Sequence, residues 1–271
     1  MYAFNYRKAS SIGDAAALLA KDADAKVLAG GQSLVAAMKL RLARPSELVD
    51  LGKLADLRKI SVDGGDVVIA AMATHASVAA SPEVRKAIPA LALLAGDIGD
   101  RQVRNLGTLG GSVANNDPAA DYPAACLGLN ATIVTTQRKI PADDFFLGLY
   151  ETALKQGELI TAVSFPAPKR AAYMKFKNPA SRFALVGVFV AETAAGVRVA
   201  VTGAGPGVFR VADMEKALSA KFAPESVASI AVPAGNLSSD LHAQADYRAH
   251  LITVMAGRAV RKALGENVSA S

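Results

Sequence analysis

The chain has 271 residues, 52% of them hydrophobic and 20% charged, which is long enough to bury a core unaided and too apolar for disorder. Thirty basic against 24 acidic residues give a formal charge of +6. The basic residues are scattered and no aromatic RNA-binding motif accompanies them, so the charge speaks for an anionic ligand or acidic partner and not for nucleic acid. One cysteine, Cys126, excludes an intrachain disulfide and a four-thiolate iron–sulfur or zinc site. His75, His242 and His250 lack metal-ligand spacing, so no metal is expected on this chain. The apolar runs, such as Leu185 to Ala191, fall far short of the ~20 residues that cross a bilayer, and MYAFNYRKASS at the amino end has no apolar leader. A cytoplasmic protein without stable membrane insertion is expected.

In chain order, Ser11 caps a helix through Ala15, Leu18 and Leu19, with Asp14 as a short capping box. The strand KVLA (Lys26 to Ala29) runs into Gly30 and Gly31, and ELVDL closes a βαβ-like unit near Leu51. Asp63, Gly64 and Gly65 form a hairpin turn between ISV and VVIAA. Thr74 or Ser77 starts a short helix, and Pro89 to Ile98 reads as another. The stretch DIGDRQVRNLGTLGGSVANNDPAAD, from Asp97 to Asp121, is rich in Gly, Asn and Asp and reads as a ligand loop between core elements. The helix-like YPAACLGL and the strand ATIVTT follow it. From Ile160 the strands ITAVSF, AYMKFK, ALVGVFVAE and VRVAVTG suggest a meander. Helices over Ala212 to Ala220, Pro224 to Ile230 and Ala243 to Leu264 finish the chain, the last with a stripe of Tyr247, Leu251, Val254 and Met255. A domain boundary is expected near Pro166 to Lys169.

Two Gly-Gly pairs carry the chemistry: AGGQSL (Ala29, Gly30, Gly31, Gln32, Ser33, Leu34) and TLGGS (Thr108, Leu109, Gly110, Gly111, Ser112). Residues without Cβ let backbone N–H groups approach an anion, and a diphosphate needs several such donors; each pair alone also reads as an ordinary turn. GAGPG at Gly203 to Gly207 fails the dinucleotide fingerprint, because Val208 stands where glycine is required and Pro206 removes a donor. Asp117 and Asp121 can accept hydrogen bonds from ribose or ribityl hydroxyls or a ring N–H. They can equally cap YPAACLG, and spacing favours that for Asp121. Lys177, in KFKNPASR, is either a cation beside a flavin ring or a solvated strand lysine. No nucleophile–base pattern supports hydrolysis.

Taken in order, LAGGQSL, ATHASV, IGDRQVRNLGTLGGSVANNDPAAD, ELITAVSFP and KFKNPASRFALVGV resemble the FAD-binding medium subunits of molybdenum hydroxylases, the family of aerobic carbon monoxide dehydrogenase and of the xanthine dehydrogenase FAD region. The closing YRAHLITVMAGRAVRKAL extends the likeness over nearly the whole chain. The resemblance implies an α+β protein: a two-subdomain FAD-binding fold of the vanillyl-alcohol-oxidase type over 1–168 (about 1–55 and 56–168), then a small α+β domain over 169–271. It implies that both glycine pairs hold the pyrophosphate of non-covalent FAD. Asp121 matches the family's acidic flavin contact, Leu159 its apolar backbone contact near the ring, Lys177 its ring-side lysine and Ile98 an apolar ring contact. Two departures stand out: Ser112 replaces a common asparagine, and the usual GxGPTP turn reads GAGPGV. Iron–sulfur clusters and the molybdenum cofactor are expected only on partners, a small iron–sulfur subunit and a large molybdopterin subunit, in a dimer of heterotrimers. No catalytic acid–base residue is implied, because electrons pass from the clusters through FAD to an external acceptor. A free-standing FAD-dependent reductase of the same fold and a scaffold subunit without flavin are the alternatives.

Overall fold

A computed structural model describes residues 1–268. The amino-terminal unit is a three-stranded parallel sheet. Strand β1 (Asn5–Lys8) leads to helix α1 (Ile12–Lys21), β2 (Lys26–Leu28), α2 (Leu34–Lys39) and β3 (Glu47–Asp50), with β3 between the other two strands. The Ser11 hydroxyl accepts the Asp14 N–H, and the Asp14 carboxylate reaches back to the N–H of Ser10, one residue earlier than a capping box requires. Ala15, Leu19, Val49 and Leu51 close a small core.

A second unit is built on a five-stranded antiparallel sheet. The hairpin β4 (Ile60–Asp63) and β5 (Asp66–Ala70) turns at Gly64 and Gly65 as expected. Six short helices follow: α3 (His75–Ala80), α4 (Pro82–Ala87), α5 (Pro89–Gly96), α6 (Arg101–Leu106), α7 (Leu109–Asn115) and α8 (Tyr122–Gly128). Then come β6 (Thr132–Thr135), β7 (Lys139–Pro141), the small hairpin β8 (Phe146–Gly148) and β9 (Glu151–Thr152), and β10 (Ile160–Phe165). The sheet order is β4-β5-β10-β6-β7. ITAVSF, expected to begin the meander, is therefore β10, a central strand here: its Ile160, Val163 and Phe165 are buried in the largest core, and both its edges are paired. The stretch 97–121, expected as a loop, contains helices α6 and α7. Asp100 caps the Val103 N–H and Thr108 caps the Gly111 N–H, and these local caps outweigh the glycine content.

The remaining chain is a four-stranded meander, β11 (Arg170–Lys177), β12 (Ala184–Thr193), β13 (Gly196–Thr202) and β14 (Phe209–Arg210), with helices α9 (Ala212–Ala220) and α10 (Ala245–Ala263). One face, with Ala172, Met174, Val188, Val190 and Val201, packs on Leu251, Ile252, Met255, Ala256 and Val260 of α10. Tyr247 and Val254 lie at the rim of that stripe: Val254 is half-buried against the same core and Tyr247, largely exposed, sets its ring edge-on to Phe176, while Arg248 turns inward to donate to the carbonyls of Leu185 and Gly203. The other sheet face, with Tyr173, Phe189, Ala191 and Ala200, joins the core of the second unit beside α5 and α8. Gly203 opens the GAGPG turn and donates to the carbonyl of Pro118. Among the described residues, no helix is long and apolar enough to cross a membrane.

Candidate functional site

A cleft of about 590 Å³ lies between the amino-terminal unit and the second unit, with Ser181, Arg182 and Phe183 of the β11–β12 turn at its wall. That volume is in the range of cofactor pockets. Of the residues singled out from sequence, Ala29, Gly30, Gly31, Gln32, Ser33, Leu34, Ile98, Thr108, Gly110, Gly111, Ser112, Asp117, Asp121 and Leu159 all line it. Lys177 does not; its ammonium pairs with Asp97 at 2.5 Å.

The two glycine pairs meet. A Cβ on Gly30 would sit inside the van der Waals shell of the Leu106 carbonyl and 2.8 Å from Gly107 Cα, so only glycine lets the β2–α2 loop reach the end of α6. A Cβ on Gly110 would lie 2.5 Å from that of Ala71, and one on Gly111 would lie 2.8 Å from the Thr108 hydroxyl and 3.6 Å from the Ala29 Cβ. The pairs differ in what they offer. Among the described residues the N–H groups of Gly30, Gly31, Gln32 and Ser33 have no acceptor, so this loop presents a run of free donors to the cleft. The second pair spends its donors internally: Leu109 N–H on Ala73, Gly110 N–H on Ala71 and Gly111 N–H on the Thr108 hydroxyl. Its contribution is a wall without side chains beside the Ser112 hydroxyl. A cradle of free N–H groups facing a bare glycine wall fits a diphosphate.

The acidic residues are held differently. Asp117 accepts the Ala119 N–H and, at 3.2 Å, the hydroxyl of Tyr150. Asp121 does not cap α8, contrary to the spacing argument. Its backbone is already helical, and its carboxylate instead accepts the Tyr173 hydroxyl at 2.5 Å and the Lys175 ammonium at 3.0 Å. Burial pushes the Asp121 carboxyl upward, against the downward pull of Lys175 and the Tyr173 hydroxyl. Leu159 lines the cleft with a buried side chain, but its N–H donates to Thr136 Oγ1 and its carbonyl accepts the Thr136 N–H. Neighbouring Glu158, also on the cleft, is clamped by Arg138, Thr135 and the Lys155 N–H. Burial alone would raise its carboxyl, yet these hydrogen bonds hold it at about 2. The Ile98–Gly99 turn is gripped by Arg104, which donates to both carbonyls.

Sequence reasoning passed over Tyr173, held Lys175 only as an alternative to Lys177 on the other face of the strand, and considered His75 only to set aside metal ligation. The first two stand at alternate positions of β11 with Lys177, so the period of a strand places all three on the face toward α5 and α8. His75 is buried against Tyr122, with ring centroids 5.4 Å apart, and burial followed by Arg104 lowers it to about 4.

A family model described as the FAD binding domain in molybdopterin dehydrogenase matches residues 2–168. The chain belongs to that family. FAD is thus the cofactor for which the donor loop, the glycine wall and the buried carboxylate are suited, and the chain is an oxidoreductase subunit of the α+β class. The medium subunit of nicotine 6-hydroxylase from Paenarthrobacter nicotinovorans is 38% identical over 96% of this chain and 97% of its own. The medium chain of carbon monoxide dehydrogenase from Hydrogenophaga pseudoflava is 37% identical over 96% of each. A solved structure of the Hydrogenophaga pseudoflava enzyme, in a form lacking the Mo-pyranopterin moiety, superposes with a TM-score of 0.89 at 36% identity, covering 97% of this chain and 98% of that one. Both relatives are, by name, medium subunits of larger enzymes.

Proposed function

We propose that the chain is the medium subunit through which a molybdenum hydroxylase delivers its electrons, holding FAD non-covalently in the cleft. The observation that carries this is the meeting of Gly30 with Leu106 and of Ala29 with Gly111, which joins two loops distant in sequence into one donor-lined cradle. Ala29 to Leu34 and Thr108 to Ser112 would hold the diphosphate, by free N–H groups on the first side and by close approach and the Ser112 hydroxyl on the second. Ile98 and Leu159 would pack on the ring, Asp121 would accept from it, Asp117 would take a sugar hydroxyl, and Lys177, paired with Asp97 beside Ile98, would be the ring-side cation. When bound, FAD supplies exchange between one-electron clusters and a two-electron acceptor. The chain's own part is to fix the cofactor and set the charge around it.

The clusters belong to a small iron–sulfur subunit and the molybdenum cofactor to a large molybdopterin subunit, assembled as a dimer of heterotrimers in the cytoplasm. The medium-chain relatives, alike over their whole lengths, support this reading. Residues 1–168 form the FAD-binding domain, in subdomains of about 1–55 and 56–168, and 169–271 the carboxyl-terminal domain. The purified protein is expected to be yellow and to release unmodified FAD on denaturation. Mass spectrometry finding a flavin adduct would refute non-covalent binding, and a colourless chain that ignores added FAD would favour a scaffold subunit.

A further inference from the structure

The face of β11 toward α5 and α8 carries a charge cluster that reaches the cleft through Asp121. Lys175 is one of the largest fully buried side chains in the protein, and its ammonium makes three contacts: the Asp121 carboxylate at 3.0 Å, the Asp97 carbonyl at 3.0 Å and the Asp97 carboxylate at 3.7 Å. Asp97 also pairs with Lys177, and it immediately precedes Ile98 on the cleft wall. Two carboxylates and two ammonium groups therefore share one site. Of the four, only Lys175 and Asp121 are sealed from water, and only Asp121 lines the cleft. A buried lysine costs several kcal/mol to dehydrate unless its partners are fixed, so a residue of this kind is informative about what it holds.

We propose that Lys175 is a positioning residue for the cofactor: it pins the Asp121 carboxylate at the cleft wall and favours its ionised form, so that FAD meets a fixed hydrogen-bond acceptor. This rests on the reading of the cleft as an FAD site. The other groups facing Asp121 cannot replace Lys175. Tyr173 and Tyr122 are neutral phenols, each raised well above the usual range by burial and then by Asp121 itself. Cys126, one turn along α8 from Tyr122, is a neutral thiol raised by burial. Asp97 is a like charge. Lys177 is occupied by Asp97 and makes no contact with Asp121. Removal of the Lys175 ammonium leaves burial and Asp97 to drive the Asp121 carboxyl further upward with only a phenol to oppose them, so the protonated form, a donor in place of an acceptor, gains ground as pH falls.

The test measures FAD affinity against pH, from 5 to 8.5, by flavin fluorescence on the full chain purified as the complex it forms. Wild type is expected to bind with little change across this range. Lys175→Met is expected to lose affinity by about tenfold or more at the acid end of the range, one pKa unit being a factor of ten, with a titration step that wild type lacks. Lys175→Met combined with Asp121→Asn is expected to abolish that step, because no titrating carboxylate remains. A single variant that fails to fold while the double variant folds gives the same answer. A folded Lys175→Met with the wild-type pH profile overturns the proposal, as does a double variant that still shows the step or that unfolds as completely as the single one. Wild type that binds no FAD at all would overturn the reading of the cleft instead.

Discussion

At the scale of single residues, the glycines separate fold from function. Gly110 is held against Ala71, where an added methyl has no room, so Gly110→Ala is expected to cost about 1–3 kcal/mol of stability, as overpacking does. Gly111 meets only the capping hydroxyl of Thr108 closely. Gly111→Val should cost roughly 1 kcal/mol through the disturbed cap and at least as much again in FAD affinity, because its branches enter the cleft. Urea unfolding together with FAD titration separates the two, and undiminished affinity in a folded Gly111→Val would remove this wall from the site. His75 supplies a pH signature. It is buried neutral, its folded value of about 4 lies below the usual histidine value, and its Nδ1 has no partner among the described residues. Its contribution is therefore whole above pH 6.5 and is lost as pH falls from there to about 4, a loss of about 3 kcal/mol by linkage. His75→Phe keeps the ring against Tyr122 and should lack that loss while staying within about 1.5 kcal/mol of wild type at pH 7. Urea midpoints at pH 7, 5.5 and 4 for both proteins check it; parallel curves would show that His75 is not the group responsible.

At the scale of elements, β11 is the member that brings the carboxyl-terminal sheet to the cleft. Its alternate residues divide between two duties: Met174 packs toward α10, while Tyr173, Lys175 and Lys177 reach Asp121 and Asp97. The end of β13, two strands away across the same sheet, grips the same region, since the Thr202 hydroxyl donates to the carbonyls of Pro118 and Ala120 and the Gly203 N–H also donates to Pro118. The segment carrying Asp117 and Asp121 is thus shaped by the sheet of the last hundred residues as much as by α7 and α8. Lys177→Met should lower the flavin reduction potential by tens of millivolts. The sign follows from both consequences of the change: a cation that favours the reduced anionic flavin disappears, and Asp97 beside Ile98 is left uncompensated. Spectroelectrochemical titration reads the shift. An unchanged potential would mean that the Lys177–Asp97 pair is electrically silent toward the ring, as a neutral pair screened by water can be.

At the scale of the whole molecule, the cleft between the first two units suits a flavin, and the chain's single cysteine, Cys126, is buried and cannot form an iron–sulfur site to pass electrons to it from a substrate. The isolated chain is expected to hold FAD that dithionite reduces and an acceptor reoxidises, and to leave that FAD oxidised when the substrate of the complex is added. Stopped-flow traces should show fast reduction by substrate only once the iron–sulfur and molybdenum subunits are present. Substrate-driven reduction by this chain alone would make it a free-standing reductase.

What the sequence determined by itself was local or compositional. The hairpin at Gly64 and Gly65, the parallel unit around KVLA and ELVDL, and helices begun by Ser11 and Thr74 follow from periodicity and caps, which act over a few residues. The glycine pairs were also legible, because residues without side chains beside hydroxyls leave few uses for the backbone but close approach. The tertiary structure decided the rest, since partner choice depends on what arrives from elsewhere in the chain. ITAVSF reads as a meander strand until β5 and β6 flank it. Asp121 reads as a cap until Tyr173 and Lys175, more than fifty positions on, claim its carboxylate. Gly110 and Gly111 read as donors until Ala71 and Thr108 take their N–H groups and leave Gly30 to Ser33 as the free ones. A buried lysine gives no signal in a strand pattern of alternating residues, because its burial is set by the carboxylates and carbonyls that fold onto it.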